Sequence, residues 1–103
     1  MDYISVNTKM NFAFKVEVAV IKDSIQSIFN NIEYPIRISD LEVVSNDKHS
    51  NVSISLKYKI GQFSIFSFQT KMIVFLIEQK IYSLINTKPI NINLVFEGVF
   101  NEK

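Results

Sequence analysis

The sequence has no cysteine and no tryptophan, and its 103 residues include one histidine, two glycines and two prolines. Without cysteine there is no disulfide framework, no thiolate metal site and no cysteine nucleophile. The two glycines, Gly61 and Gly98, cannot form a glycine-rich loop that cradles phosphate. So little glycine and proline also excludes a collagen-like or low-complexity chain. The single imidazole, His49, falls in the polar run Ser45-Asn46-Asp47-Lys48-His49-Ser50. That run reads as a turn, where nothing holds the ring against a nucleophile, and a solvated loop histidine is expected. A net charge of +1 lacks the electrostatic footprint of a general nucleic-acid binder.

Long apolar runs are missing too. The longest, Met72-Ile73-Val74-Phe75-Leu76-Ile77, is six residues between Lys71 and Glu78. A bilayer crossing needs about 20, so no membrane span is expected within this chain. Met1-Asp2-Tyr3 opens no basic region followed by an apolar stretch, so no secretory signal is read. The chain is expected to be soluble, with two compartments open: the cytoplasm, or the soluble part of a membrane-associated assembly.

What is present is apolar material, 48% of the residues, of which aromatics make up 13% of the chain. That suits one α+β domain over residues 1–103 with a single core. Residues Phe12 to Ile21 alternate with period two, Phe12, Phe14, Val16, Val18 and Val20 on one face, which predicts a strand. Tyr3 to Lys9 predicts a shorter strand paired to it through Met10-Asn11. Asp23-Ser24 offers a helix N-cap. Ile25, Ile28, Phe29 and Ile32 then form one stripe on a short helix over Ser24 to Ile32 that Pro35 stops.

Pro35 to Val44 predicts a strand whose phase slips near Ser39-Asp40, the mark of a bulge. Asn51 to Ile60 is the clearest strand, Val52, Ile54, Leu56, Tyr58 and Ile60 alternating with Ser53, Ser55, Lys57 and Lys59. Phe63 to Ile77, rich in aromatic and β-branched residues with a slip at Ile65-Phe66, reads as extended. Glu78 to Asn86 reads as a second short helix with Ile77, Ile81, Leu84 and Ile85 as its stripe. Pro89 to Phe100 reads as the last strand, with Ile90, Ile92, Leu94 and Phe96 on one face.

These parts suggest an internal βαβ duplication. Lys15 to Ile21 lies over Lys71 to Ile77 at an offset of 56 positions, and the helices and the Pro-Ile pairs follow in the same order. Half-repeats of about 12–44 and 68–100 imply a ferredoxin-like sandwich, an antiparallel sheet with two short helices on one face. In the second copy Ile73 and Phe75 replace Glu17 and Ala19 on the outward side. With Ile77 they make an apolar row where water is expected. Val95 and Val99 of the last strand are expected on the matching face. Such a row marks a contact surface, unless the N-terminal strand or a loop covers it.

Chemistry-bearing clusters are sparse. Asp47 and His49 are two possible ligands in a turn, too few for a metal centre. Asp40 and Glu42 share a strand face, but acid–base work needs a pocket that perturbs them, and an open edge is expected instead. Lys57-Tyr58-Lys59 with Phe63, Phe66 and Phe68 interleaves bases and aromatics. Tyr58, however, is in phase with the buried set, so no exposed stacking platform for nucleic acid is read. The expectation is a chain that is not an enzyme and carries no catalytic residues, metal or cofactor.

The order of parts from Tyr3 to Ile60 resembles the ferredoxin-like domain of PilO/GspM-type proteins, the inner-membrane alignment components of type IV pilus and type II secretion machines. The resemblance lies in Phe14-Lys-Val-Glu-Val-Ala-Val20, the helix Ser24 to Ile32, Ile36-Arg-Ile-Ser-Asp-Leu-Glu-Val43 and Val52-Ser-Ile-Ser-Leu-Lys-Tyr58. It implies a scaffold component that dimerises through helices and strand edges and has no active site. That family's transmembrane segment and coiled coil have no counterpart here. Separately, Pro89-Ile-Asn-Ile-Asn-Leu-Val-Phe-Glu-Gly-Val-Phe100 is similar to a strand and turn of SecB-type export chaperones, which implies an apolar groove for unfolded chains. The expected function is therefore a protein–protein interaction or assembly module, partnered by another protein or by itself as a homodimer. The alternative is a SecB-like holdase.

Overall fold

The computed structural model describes residues 2–30 and 35–101. In chain order these form β1 (Tyr3–Asn7), β2 (Ala13–Glu17), α1 (Val18–Asn30), β3 (Ile36–Ser45), β4 (Val52–Gly61), α2 (Phe66–Ile85) and β5 (Asn91–Phe100). The protein is α+β. β1 and β2 form an antiparallel hairpin with Tyr3 opposite Glu17 and Asn7 opposite Ala13. β3, β4 and β5 form a second sheet in that order. β3 runs antiparallel to β4, and β5 runs parallel to it. A parallel neighbour cannot be reached by a tight turn, and α2 supplies the crossover.

β4 is the spine of the core. Val52, Ile54, Leu56, Tyr58 and Ile60 are buried, while Ser55, Lys57 and Lys59 between them are exposed. The period-two pattern read from the sequence is therefore the observed one. Against the buried row pack Ile4 and Val6 of β1, Ile21, Ile25 and Phe29 of α1, and Ile73, Ile77, Ile81 and Ile85 of α2. Each such side chain contributes about 1.5–3 kcal/mol by leaving water.

From β2 onward the element order is strand, helix, strand, strand, helix, strand, as a ferredoxin-like sandwich requires. The pairing is not that of the expected single antiparallel sheet: β2 pairs with β1 in a separate hairpin, and β5 lies directly beside β4 in parallel.

The expected strand Phe12 to Ile21 is cut in two. It is extended only to Glu17, and Val18 begins α1. The buried residues Ile21, Ile25 and Phe29 recur every four positions, and burying that stripe outweighs the modest helix propensity of Val18, Val20 and Ile21. Asp23 and Ser24 are thus interior to the helix and do not cap it. Ile32, assigned to the same stripe, lies outside the described residues.

The larger correction concerns Phe63 to Ile77, which is not extended. α2 starts at Phe66 and runs without a break to Ile85, absorbing the short helix expected over Glu78 to Asn86. Gln69, Ile73, Ile77, Ile81 and Ile85 are all buried. A spacing of four along 20 residues is a helix stripe, whatever the β propensity of its members. Asn86 ends it in the left-handed region at φ 61°, its N–H bonded to the Tyr82 carbonyl. Hence the offset of 56 superposes the strand residues Lys15–Glu17 on a helix. The strand that should head the second half-repeat does not exist.

Two bulges shape the sheet. The register of β3 on β4 skips Ser39, where the phase slip predicted it. A second, unforeseen skip lies in β5 between Phe96 and Val99. Gly98 sits in it at φ 126°, a conformation side-chain-bearing residues rarely adopt.

Candidate functional site

α2 divides the expected apolar row. Ile73 and Ile77 are both 0% exposed and belong to the core. Phe75 is 55% exposed. Residues two apart on a helix point about 200° from each other and share no face, so Ile73, Phe75 and Ile77 do not form a surface together. The helix carries a different outward row. Phe68, Phe75 and Tyr82 recur at intervals of seven, and each is more than half exposed. They stand opposite the stripe from Gln69 to Ile85. Reading Phe63 to Ile77 as extended hid this row, although its spacing is plain once the segment is helical.

Val95 and Val99 are exposed as expected, but neither continues the Phe75 surface. Val95 is in register with Lys57, whose side chain lies on the uncovered face of the sheet. Phe75 is exposed on the side of α2 opposite its buried stripe. Val99 comes after the bulge, in register with Ile60. The expected contact residues are thus dispersed over the core, the outer helix face, the open sheet face and the end of β5.

A second apolar cluster gathers where α2 begins. Phe66 meets Phe96 edge to face at 4.7 Å, and Phe96 in turn packs on Tyr58 at 5.6 Å. Phe63 and Ile65, just before the helix, are exposed. Tyr58 itself is buried, its hydroxyl 2.7 Å from that of Thr70. At the hairpin, Met10, Phe12 and Phe14 are exposed, with Phe12 and Phe14 stacked at 6.3 Å.

The polar candidates are plainly placed. Asp40 and Glu42 are exposed on the uncovered sheet face, in register with Lys57 and Ser55. They line a shallow groove of ≈ 290 Å³ with Asn93 and Val95. His49 is half-buried, not simply solvated. At φ 53° it turns its ring onto Tyr3, 5.5 Å between centroids, and its carbonyl accepts the Ser5 N–H at 2.8 Å. Its work is to fasten β1 to the turn between β3 and β4. Among the described residues, no group of three or more His, Asp or Glu side chains comes together as a metal site. No described helix is long and apolar enough to cross a membrane.

Compared with models of protein families, with curated proteins and with solved structures, the chain matches none.

Proposed function

We propose that this chain is a non-enzymatic protein–protein interaction module that grips a folded protein partner with the outer face of α2. The observation that carries this reading is the row Phe68, Phe75 and Tyr82, three large aromatics more than half exposed on the helix face turned from the core. A soluble domain gains nothing internally from aromatics there, whereas an interface core is enriched in them. The same arrangement supports reading both helices as one layer over the buried face of β4. The order of parts from β1 to β4 supports the scaffold role in a pilus or secretion machine that the PilO/GspM-type resemblance implies.

A holdase for unfolded chains is the second reading, favoured by the exposed Met10, Phe12, Phe63 and Ile65. Replacing Phe75 with a photoreactive phenylalanine and irradiating living cells separates the two. A single adduct of constant mass, lost when Phe68→Glu is added, is expected of a scaffold. A broad ladder of adducts that grows on heat shock would replace it with the holdase. No adduct from position 75 would remove the reading of α2 as the partner surface.

A further inference from the structure

β5 is an edge strand: among the described residues nothing pairs with the side turned from β4. Edges of this kind are normally protected by lysine, proline, a bulge or an inward charge. The stretch Asn91 to Phe96 has none of these. The one charged residue of β5, Glu97, is drawn over the sheet, where its carboxylate accepts a hydrogen bond from the Ser39 hydroxyl on the far strand. The opposite edge, β3, is different. It carries Arg37, Asp40 and Glu42, and α1 packs against it.

We propose that β5 pairs antiparallel with β5 of a second copy, about a two-fold axis at Leu94, joining two three-stranded sheets into one of six strands. The occupant follows from the sequence of the edge. A two-fold pairing must be antiparallel and must set each residue against its mirror position. Centred on Leu94, it places Ile92 opposite the partner's Phe96 and Leu94 opposite its own copy, all on the face of the sheet that bears the core. Within one protomer Ile92 and Leu94 are only half-buried and Phe96 is 41% exposed. The second copy extends the same apolar row over them. On the open face the pairing sets Asn93 against Val95, and no like charges meet. A shift of the axis by half a residue would set Leu94 against Asn93 or Val95 and lose the apolar match.

This surface is separate from the outer face of α2, so the pairing can fail while the crosslink at position 75 still forms. Sedimentation equilibrium of the unmodified chain is expected to show a dimer. Asn93 and Val95 are exposed and each faces the other's position across the axis, so they read the register. The double variant N93K/V95K sets lysine against lysine twice and is expected to raise the dimer Kd at least tenfold. N93E/V95E sets glutamates together and should do the same. An equimolar mixture of the two variants should recover a heterodimer at least as tight as the original. Thermal unfolding of each variant at a concentration where it is monomeric checks that the protomer still folds. A monomer at millimolar concentration, or a dimer indifferent to both variants, would overturn the pairing. So would a mixture that stays monomeric when both variants are folded.

Discussion

Ser39 and Glu97 are hydrogen-bonded, hydroxyl to carboxylate, across β4 although 58 positions separate them in the chain. Each lies where a strand leaves register with β4, Ser39 between Ile38 and Asp40 and Glu97 between Phe96 and Val99. The bulges on the two outer strands thus fall on either side of Tyr58 in the central one. Both partners are exposed, so the bond is a modest one. A double-mutant cycle of Ser39→Ala and Glu97→Ala in urea is expected to give a coupling of about 0.5–1.5 kcal/mol. Strict additivity would mean that the bond does not persist in solution.

Ile77→Ala should cost about 2–5 kcal/mol, because it empties part of the core. Phe75→Ala should stay within about 0.5 kcal/mol. Were the segment a strand, these two residues would share a face and cost alike. Chemical denaturation of the two variants under one set of conditions makes the comparison, and equal losses would reject the helix.

At Gly98 an added Cβ would find nothing within 4 Å, so space does not demand glycine there. The backbone at φ 126° does. Gly98→Ala is expected to destabilise by about 1–3 kcal/mol through strain alone. At about 4–8 °C per kcal/mol for a domain near this size, the loss is visible as a lowered Tm. An unchanged Tm would show that the bulge can relax to another conformation.

Asn86 holds the left-handed position that ends α2. Asn86→Ala is expected to lose about 1–2 kcal/mol, since alanine has no way to ease that conformation. Asn86→Gly should match the original or exceed it slightly. Calorimetry of the pair settles the ordering, and alanine equal to glycine would contradict the cap.

His49→Ala removes the ring that lies on Tyr3. The bond from the Ser5 N–H to the backbone carbonyl at position 49 should then open more often. Amide exchange at Ser5 is expected to quicken several-fold while exchange in the middle of β4 is unchanged, because a two-stranded hairpin is barely stable by itself. Unaltered exchange at Ser5 would mean that the hairpin is fixed by other contacts.

Period-two segments with one wet face could be read directly. β4 was legible residue by residue because lysines and serines occupy every position that faces water. β1 and the bulge at Ser39 were legible for the same reason. The segment Phe63 to Ile77 was not, since Ile65, Phe66, Phe68 and Phe75 face outward while Ile73 and Ile77 face inward. With apolar residues on both sides, the contrast that distinguishes a period of two from one of 3.6 is lost. The start of α1 failed similarly at Val18 to Ile21. Phe75 was singled out from the sequence and is exposed, but its neighbours on the surface, Phe68 and Tyr82, are visible only once the helix is known.

By itself the sequence determined an apolar α+β chain, the inward face of β4 and the turn at Ser45 to Ser50. These follow from local patterns of polar and apolar side chains, which act over a few residues. Only tertiary structure decided that Ile73 and Ile77 go inward while Phe75 goes outward. It also set β5 parallel beside β4, with Glu97 tied to Ser39. Those outcomes depend on which surfaces far apart in the chain bury one another, and the free energy of that burial exceeds the local preferences of the residues involved.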